Sequence, residues 1–375
     1  MSGFDISKQH RLVIKVGSSL VTADDGSVHR RWLEGLADDV AHLQQNGHEV
    51  LIVSSGAISI GSTILKINKA RARLEDLQAA AAAGQAQLVL AYQQALAAHS
   101  ITTAQVLLTP EDTENRRRFL NARGTLSRLL ERSVVPIINE NDTVATEEIR
   151  YGDNDRLAAR VAQMIMADAL ILLSDVDGLY TADPGTDPAA ALIPEVATID
   201  SKVLAIAGES RSDIGSGGMA TKILAAGIAT HAGCSTVITS GAIEQPLTAL
   251  AGGASCTVFP APNNPQAARK QWLAGVLEVR GELRLDDGAV RALHDGKSLL
   301  PVGVIEVFGS FRRGDVVSIV SASGSELGRG LTEYASDEAE ILLGCRSEHI
   351  EDRLGYRGRT VMVHRDELVL FDKQG

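Results

Sequence analysis

A chain of 375 residues that is 45% hydrophobic and 22% charged is long enough for two domains with full apolar cores, and its composition excludes a disordered or collagen-like protein. A formal charge of −11 opposes broad attraction to nucleic acid or anionic membrane, because neutralising phosphates takes an excess of Lys and Arg, so a small-molecule ligand is expected.

In chain order, strand-length apolar runs alternate with longer stretches of helical period. Leu12-Val13-Ile14-Lys15-Val16 is followed by a helical segment from about Arg30 to Gln45, and Glu49-Val50-Leu51-Ile52-Val53 by an Ala-rich helical stretch near 76–98. Ala104-Gln105-Val106-Leu107-Leu108, a charged helix near 115–132 and Val134-Val135-Pro136-Ile137-Ile138 come next. A helix near 155–167, the run Ala169-Leu170-Ile171-Leu172-Leu173, a helix near 219–232 and Ser235-Thr236-Val237-Ile238-Thr239 complete the series. This order predicts an α/β fold, a mostly parallel sheet covered by helices on both faces. The pattern stops at Pro260, Pro262 and Pro265, where a linker over 263–275 is expected after a first domain of residues 1–262. Beyond it, Gly281–Leu285, Gly303–Phe308 and Gly314–Val320 predict a small β-rich domain over 276–367.

No apolar run reaches the roughly 20 residues of a bilayer span, and Met1-Ser2-Gly3-Phe4-Asp5 lacks the blocks of a signal peptide. Cys234, Cys256 and Cys345 are odd in number, far apart and without a C-x-x-C pair, which argues against a disulfide framework or structural zinc. A cytoplasmic, reducing location is expected.

Ligands of a parallel sheet bind outside the carboxyl ends of its strands, so the residues after each run carry the chemistry. Lys15 lies inside an apolar run before Gly17-Ser18-Ser19; either it is a fixed cation beside a phosphate-binding turn, or it sits on an edge strand and reaches solvent. Ser54-Ser55-Gly56-Ala57 is either an anion site at a helix start or a simple cap. Asn139-Glu140-Asn141-Asp142 places four amide or carboxylate side chains at one strand exit, suited to a ligand with an ammonium and a carboxylate. Gly152-Asp153-Asn154-Asp155 precedes a helix, and capping explains only one of its polar residues. Ser174-Asp175 ends another run, and Gly215-Ser216-Gly217-Gly218-Met219-Ala220-Thr221-Lys222 is a glycine-rich turn running into a helix that carries lysine.

Gly215-x-Gly217-x-x-Ala220 is not a dinucleotide fingerprint, because no apolar strand leads into it, and Gly296-Lys297-Ser298 lacks the first glycine of a Walker motif. The nine histidines form no metal-ligating pair, so no protein-held metal is expected. Two lysines beside glycine-rich turns, with aspartates and no evident nucleophile or histidine base, suit phosphoryl transfer, a reaction of positioning and charge neutralisation.

These blocks, with Arg118-Phe119-Leu120-Asn121-Ala122-Arg123, resemble in order and spacing those of the amino acid kinase family across nearly the whole chain. The resemblance implies a three-layer αβα sandwich around a largely parallel eight-stranded sheet, with a tail similar to a PUA domain. That tail argues for the branch that moves the γ-phosphoryl of ATP to the side-chain carboxylate of L-glutamate, the first step toward proline. It further implies that Lys15 and Lys222 neutralise the transferring phosphoryl, that Asp155 orients both, and that Ser55, Asp142 and Asn154 hold glutamate. ATP, with Mg²⁺ on its phosphates, would meet Lys15, Ser174, Asp175, Ser216, Gly217, Gly218, Met219, Ala220, Thr221 and Lys222. Also implied are a dimer or tetramer and feedback inhibition by proline, which we assign to Thr143–Gly152 because this segment joins two substrate-binding blocks. RNA binding by the PUA-like tail is the competing function. Residues 276–375 carry 13 Lys and Arg against 18 Asp and Glu, a net of −5, and the chain is only 3% aromatic, so both phosphate attraction and base stacking are poorly served.

Overall fold

The computed structural model describes residues 4–23, 25–144, 154–209, 218–275 and 279–371, and it divides into two compact units, Met1–Pro265 and Gln266–Gly375. In the first unit, β1 (Arg11–Val16), α1 (Arg30–Gln45), β2 (Glu49–Ser54), α2 (Ala57–Leu65), α3 (Leu74–Ala97), β3 (Thr103–Leu108) and α4 (Arg116–Leu130) lead to β4 (Val135–Glu140). Then come α5 (Asn154–Met164), β5 (Ala169–Ser174), α6 (Met219–His231), β6 (Ser235–Ser240) and β7 (Cys256–Phe259). The sheet order is β3-β4-β2-β1-β5-β6-β7, parallel except for β7, so among the described residues this sheet has seven strands where the resemblance implied eight. The order of strand addition reverses about β1: β2 to β4 lie on one side and β5 to β7 on the other, which makes the carboxyl end of β1 a switch point.

Period-two alternation sends successive strand residues to opposite faces, and each face has its own core. Leu12, Ile14, Val16, Val50, Ile52 and Ile171 pack with Leu36 and Val40 of α1 and Leu88 and Tyr92 of α3. Val13, Leu51, Val53, Leu170 and Leu172 pack with Leu126 of α4, Val161 of α5 and Ile223 of α6. The result is the three-layer αβα sandwich. On the α1 side, α2 and α3 approach closely because Gly61 and Gly84 lack side chains: a Cβ on either would lie within 2 Å of a carbonyl oxygen of the other helix, Ala80 O or Ala57 O.

Helix α7 (Pro265–Gly275), whose first residue is the last of the first unit, occupies most of the segment expected as a linker. Pro265 is the first helical residue, where its missing N–H costs nothing, so the proline marks a helix start and not a break. Strands β8 (Gly281–Leu285), β9 (Val304–Gly309), β10 (Val316–Val320), β11 (Glu326–Thr332) and β12 (Val363–Leu370) form a mixed sheet in the order β9-β8-β10-β11-β12 over a core that includes Leu283, Ile319, Tyr334 and Met362.

Candidate active site

Lys15 is the last residue but one of β1, a central strand, paired in parallel with Val53 of β2 on one side and Leu172 of β5 on the other, so the edge-strand reading fails. It points to the same face as Val13, toward α5 and α6, and is 6% exposed. Asp155, in the first turn of α5 and fully buried, meets it: Lys15 Nζ lies 2.5 Å from Asp155 Oδ1, and Lys222 Nζ, from the first turns of α6, lies 3.2 Å from Oδ2. Alanines on both helices, Ala158 and Ala162 on α5 and Ala225, Ala226 and Ala229 on α6, keep this packing close. Thr221 Oγ1 also donates to Asp155 Oδ2, at 3.1 Å. Burial by itself would raise the Asp155 carboxyl, but the charges of Lys15 and Lys222 and their hydrogen bonds outweigh it and hold the group below the usual carboxylate range. Two ammonium groups thus share one buried carboxylate at the switch point, where low dielectric magnifies the attraction of positive charge for an anion.

A second constellation joins the exits of β2 and β4. Asn154 Nδ2 donates to Ser54 O at 2.7 Å, to Asn139 Oδ1 at 2.8 Å and to Ser55 Oγ at 3.0 Å. Its side chain therefore ties strands together, and helix capping does not account for it. The same holds for Ser55: α2 starts at the N-cap Gly56, with no side-chain cap, and Gly56 sits at φ +106, a left-handed conformation that favours glycine. Asp142 follows β4 at the start of a short 3-10 turn, half-buried, and burial pushes its carboxyl up to about 6. A carboxylate held in this way gains most from a cation brought by a ligand.

At the exit of β5, Ser174 is buried and its Oγ donates to Oδ1 of the exposed Asp175 at 2.9 Å. Gly218 is the N-cap of α6 without a side-chain cap, and the amides of Met219 and Ala220 open that helix. Ser216 and Gly217 lie outside the described residues, as does Asp153, and of Thr143–Gly152 only Thr143 and Val144 lie inside them. Among the described residues, no group of three or more His, Cys, Asp or Glu side chains could hold a metal ion.

Sequence reading assigned no role to two residues of this region, Gln85 and Tyr92. Asn139 Nδ2 donates to Gln85 Oε1 at 2.7 Å, and the Tyr92 hydroxyl lies 3.0 Å from Ser54 Oγ. Gln85 and Tyr92 are seven residues apart on α3, hence on one face. A glutamine on the buried face of an alanine-rich helix is a polar group needing a partner in the core, and that was the available signal.

Residues 10–240 match the amino acid kinase family, and residues 275–354 match the PUA domain. With strand exits, lysine pair and sheet order as described, the chain belongs to the amino acid kinase family. Among curated relatives, a protein named Glutamate 5-kinase from Bradyrhizobium diazoefficiens is 52% identical over 371 residues, 99% of this chain and 100% of the relative. Proteins of the same name from Paramagnetospirillum magneticum and Agrobacterium fabrum are 54% identical over 361 residues (96% of this chain, 97% of the relative) and 50% identical over 365 residues (97% and 94%).

Proposed function

We propose that this chain is an ATP-dependent glutamate 5-kinase: it transfers the γ-phosphoryl of ATP to the side-chain carboxylate of L-glutamate, giving γ-glutamyl phosphate and ADP on the route to proline. The observation that carries the reading is the buried Lys15–Asp155–Lys222 group at the carboxyl edge of a parallel sheet, with Asp155 next in sequence to Asn154. Near-full-length identity above 50% to chains of that name supports the choice of glutamate among carboxylate acceptors.

In the transfer, a γ-carboxylate oxygen bonds to phosphorus as the bond from phosphorus to the β,γ-bridging oxygen breaks and ADP leaves. The attacking carboxylate is already ionised at neutral pH, so no general base is needed. Lys15 and Lys222 neutralise charge on the equatorial and leaving oxygens, and Asp155 holds both ammonium groups in place before substrate arrives, which removes reorganisation from the barrier. Ser174, Asp175 and residues Gly218 to Thr221 contact ATP, with the α6 amides turned to its phosphates. The neighbouring turn residues Ser216 and Gly217 belong to the same proposed site. Mg²⁺ would be held chiefly by the nucleotide's phosphate oxygens and would supply further charge neutralisation there. Asp142 receives the ammonium of glutamate, and Ser55 and Asn154 offer hydrogen bonds to its polar groups.

Two regulatory features complete the proposal. Proline shares the α-carboxylate and amino nitrogen of glutamate, so it competes at the glutamate site and acts through Thr143–Gly152. The chain works as a dimer or tetramer. The kinase domain spans 1–262 and the PUA-like domain 276–367. An ADP-release assay across glutamate, aspartate, N-acetylglutamate, carbamate and uridylate tests the substrate: release with glutamate is expected, and activity on another of these with none on glutamate contradicts the proposal.

A further inference from the structure

The amide orientations in the second constellation are set by two backbone groups that cannot reverse. Glu140 N–H donates to Asn139 Oδ1 at 2.9 Å, so that side of the Asn139 amide must be oxygen. Its nitrogen then faces α3, and Gln85 has to present Oε1 to it, at 2.7 Å. Ser54 C=O accepts from Asn154 at 2.7 Å, so that side of the Asn154 amide must be nitrogen, and the same nitrogen reaches Asn139 Oδ1. One sense of hydrogen bonding thus runs from Asn154 through Asn139 to Gln85. It leaves one acceptor, Asn154 Oδ1, and one donor, Gln85 Nε2, buried without a partner among the described residues. A native core leaves few such groups open, and an open acceptor on the residue assigned to glutamate suits a ligand that brings its own N–H.

From this geometry we infer that Gln85 is a positioning residue for glutamate recognition: through Asn139 it holds the Asn154 amide in the orientation that turns Oδ1 to the substrate ammonium. The inference rests on the proposed glutamate kinase activity. Gln85 is 8% exposed and anchored on α3, whose close packing against α2 through Gly61 and Gly84 fixes its height. The Tyr92–Ser54 contact closes the ring on the other side, so α3 braces both strand exits that Asn154 bridges. Without the Gln85 acceptor, Asn139 Nδ2 is a buried donor with nothing to receive it, and the Asn139 and Asn154 amides lose their shared constraint.

The test compares Gln85→Met, of similar length but without the acceptor, Gln85→Asn, which is one methylene too short to make the contact, and Gln85→Glu, which keeps an acceptor toward Asn139. Steady-state kinetics with glutamate and ATP varied separately, and thermal melts of each full-length protein, are the readouts. Expected are a rise of about tenfold in glutamate KM for Gln85→Met and Gln85→Asn, with ATP KM within about twofold, and recovery of most of that loss in Gln85→Glu. Because Gln85→Asn keeps a polar group and removes little volume, it carries the test if Gln85→Met does not fold. Unchanged glutamate KM, an equal rise in both KM values, or a Gln85→Glu protein as impaired as Gln85→Met overturns the inference. Absence of glutamate-dependent ADP release from the unsubstituted protein overturns the activity itself, and this inference with it.

Discussion

Replacing Lys222 by methionine removes one charge from the buried group while keeping most of the aliphatic volume. Its Nζ lies 3.2 Å from Asp155 Oδ2 and its side chain is nearly inaccessible, so no water takes over the ammonium's role. The group loses one positive charge, and Asp155 stays paired with Lys15 at 2.5 Å. Deleting one preorganised electrostatic group from a dry site costs about 3–4 kcal/mol of transition-state stabilisation, which is about 10²–10³ in kcat. Folding is little affected, because the remaining lysine still compensates the buried carboxylate. Stopped-time ADP release at saturating glutamate and ATP, with a melt of the same sample, measures both quantities. The expected result is a kcat lower by about 10²–10³, glutamate KM within about twofold and a nearly unchanged Tm. A kcat within threefold of the unsubstituted protein would refute the assignment of Lys222 to the transferring phosphoryl.

Asp155→Asn has the opposite balance: it takes the shared carboxylate away from two buried ammonium groups, at a cost of about 3–5 kcal/mol, and is expected to lower Tm by about 10 °C as well as kcat. The depressed Asp155 carboxyl contributes stability above its unfolded pKa and loses it as pH falls through the still lower folded value, so in melts against pH the two proteins converge only in strongly acid solution. For Asp142, with its carboxyl near 6, kcat/KM for glutamate is expected to fall as pH drops through about 6, because the neutral acid no longer attracts an ammonium; Asp142→Ala raises glutamate KM and flattens that profile, with ATP KM unchanged. The same raised value penalises the folded state above the unfolded pKa, so Asp142→Asn is expected to raise Tm at pH 8 and not at pH 4. Raising glutamate should relieve proline inhibition, and inhibition indifferent to glutamate points to a separate site. A chain ending at Asn264 keeps the separate cores of the first unit and is expected to retain measurable activity, while residues 270–375 alone bind RNA weakly; a folded but inactive truncation, or tight salt-sensitive RNA binding, contradicts this division.

The sheet was legible because its central strands are buried on both faces and read as apolar runs, while the helices keep a 3.6-residue period; the segment Arg30–Gln45 is a helix over that same span. Lys15 and Asp155 stood out as charges inside or beside apolar segments, but their pairing needs α5 laid across β1, which no local pattern specifies. Gln85 was hidden for a related reason: in an alanine-rich helix almost any face can be buried, and only packing against α2 and the β4 exit shows which. The proline cluster misled in the other direction. Pro265 opens a helix where spacing suggested a break, because proline's effect depends on whether the N–H it lacks had a partner to lose.

The central claim is that phosphoryl passes to the side-chain carboxylate of glutamate at the Lys15–Asp155–Lys222 group. An acyl phosphate reacts with hydroxylamine to give a hydroxamate, so the direct measurement is glutamate hydroxamate formed from ATP and glutamate, quantified against ADP for the unsubstituted protein and for Lys222→Met. A near one-to-one ratio of hydroxamate to ADP is expected, with both rates falling together by about 10²–10³ in the variant. ADP released with glutamate present but without hydroxamate, or hydroxamate formed at an undiminished rate by Lys222→Met, contradicts it.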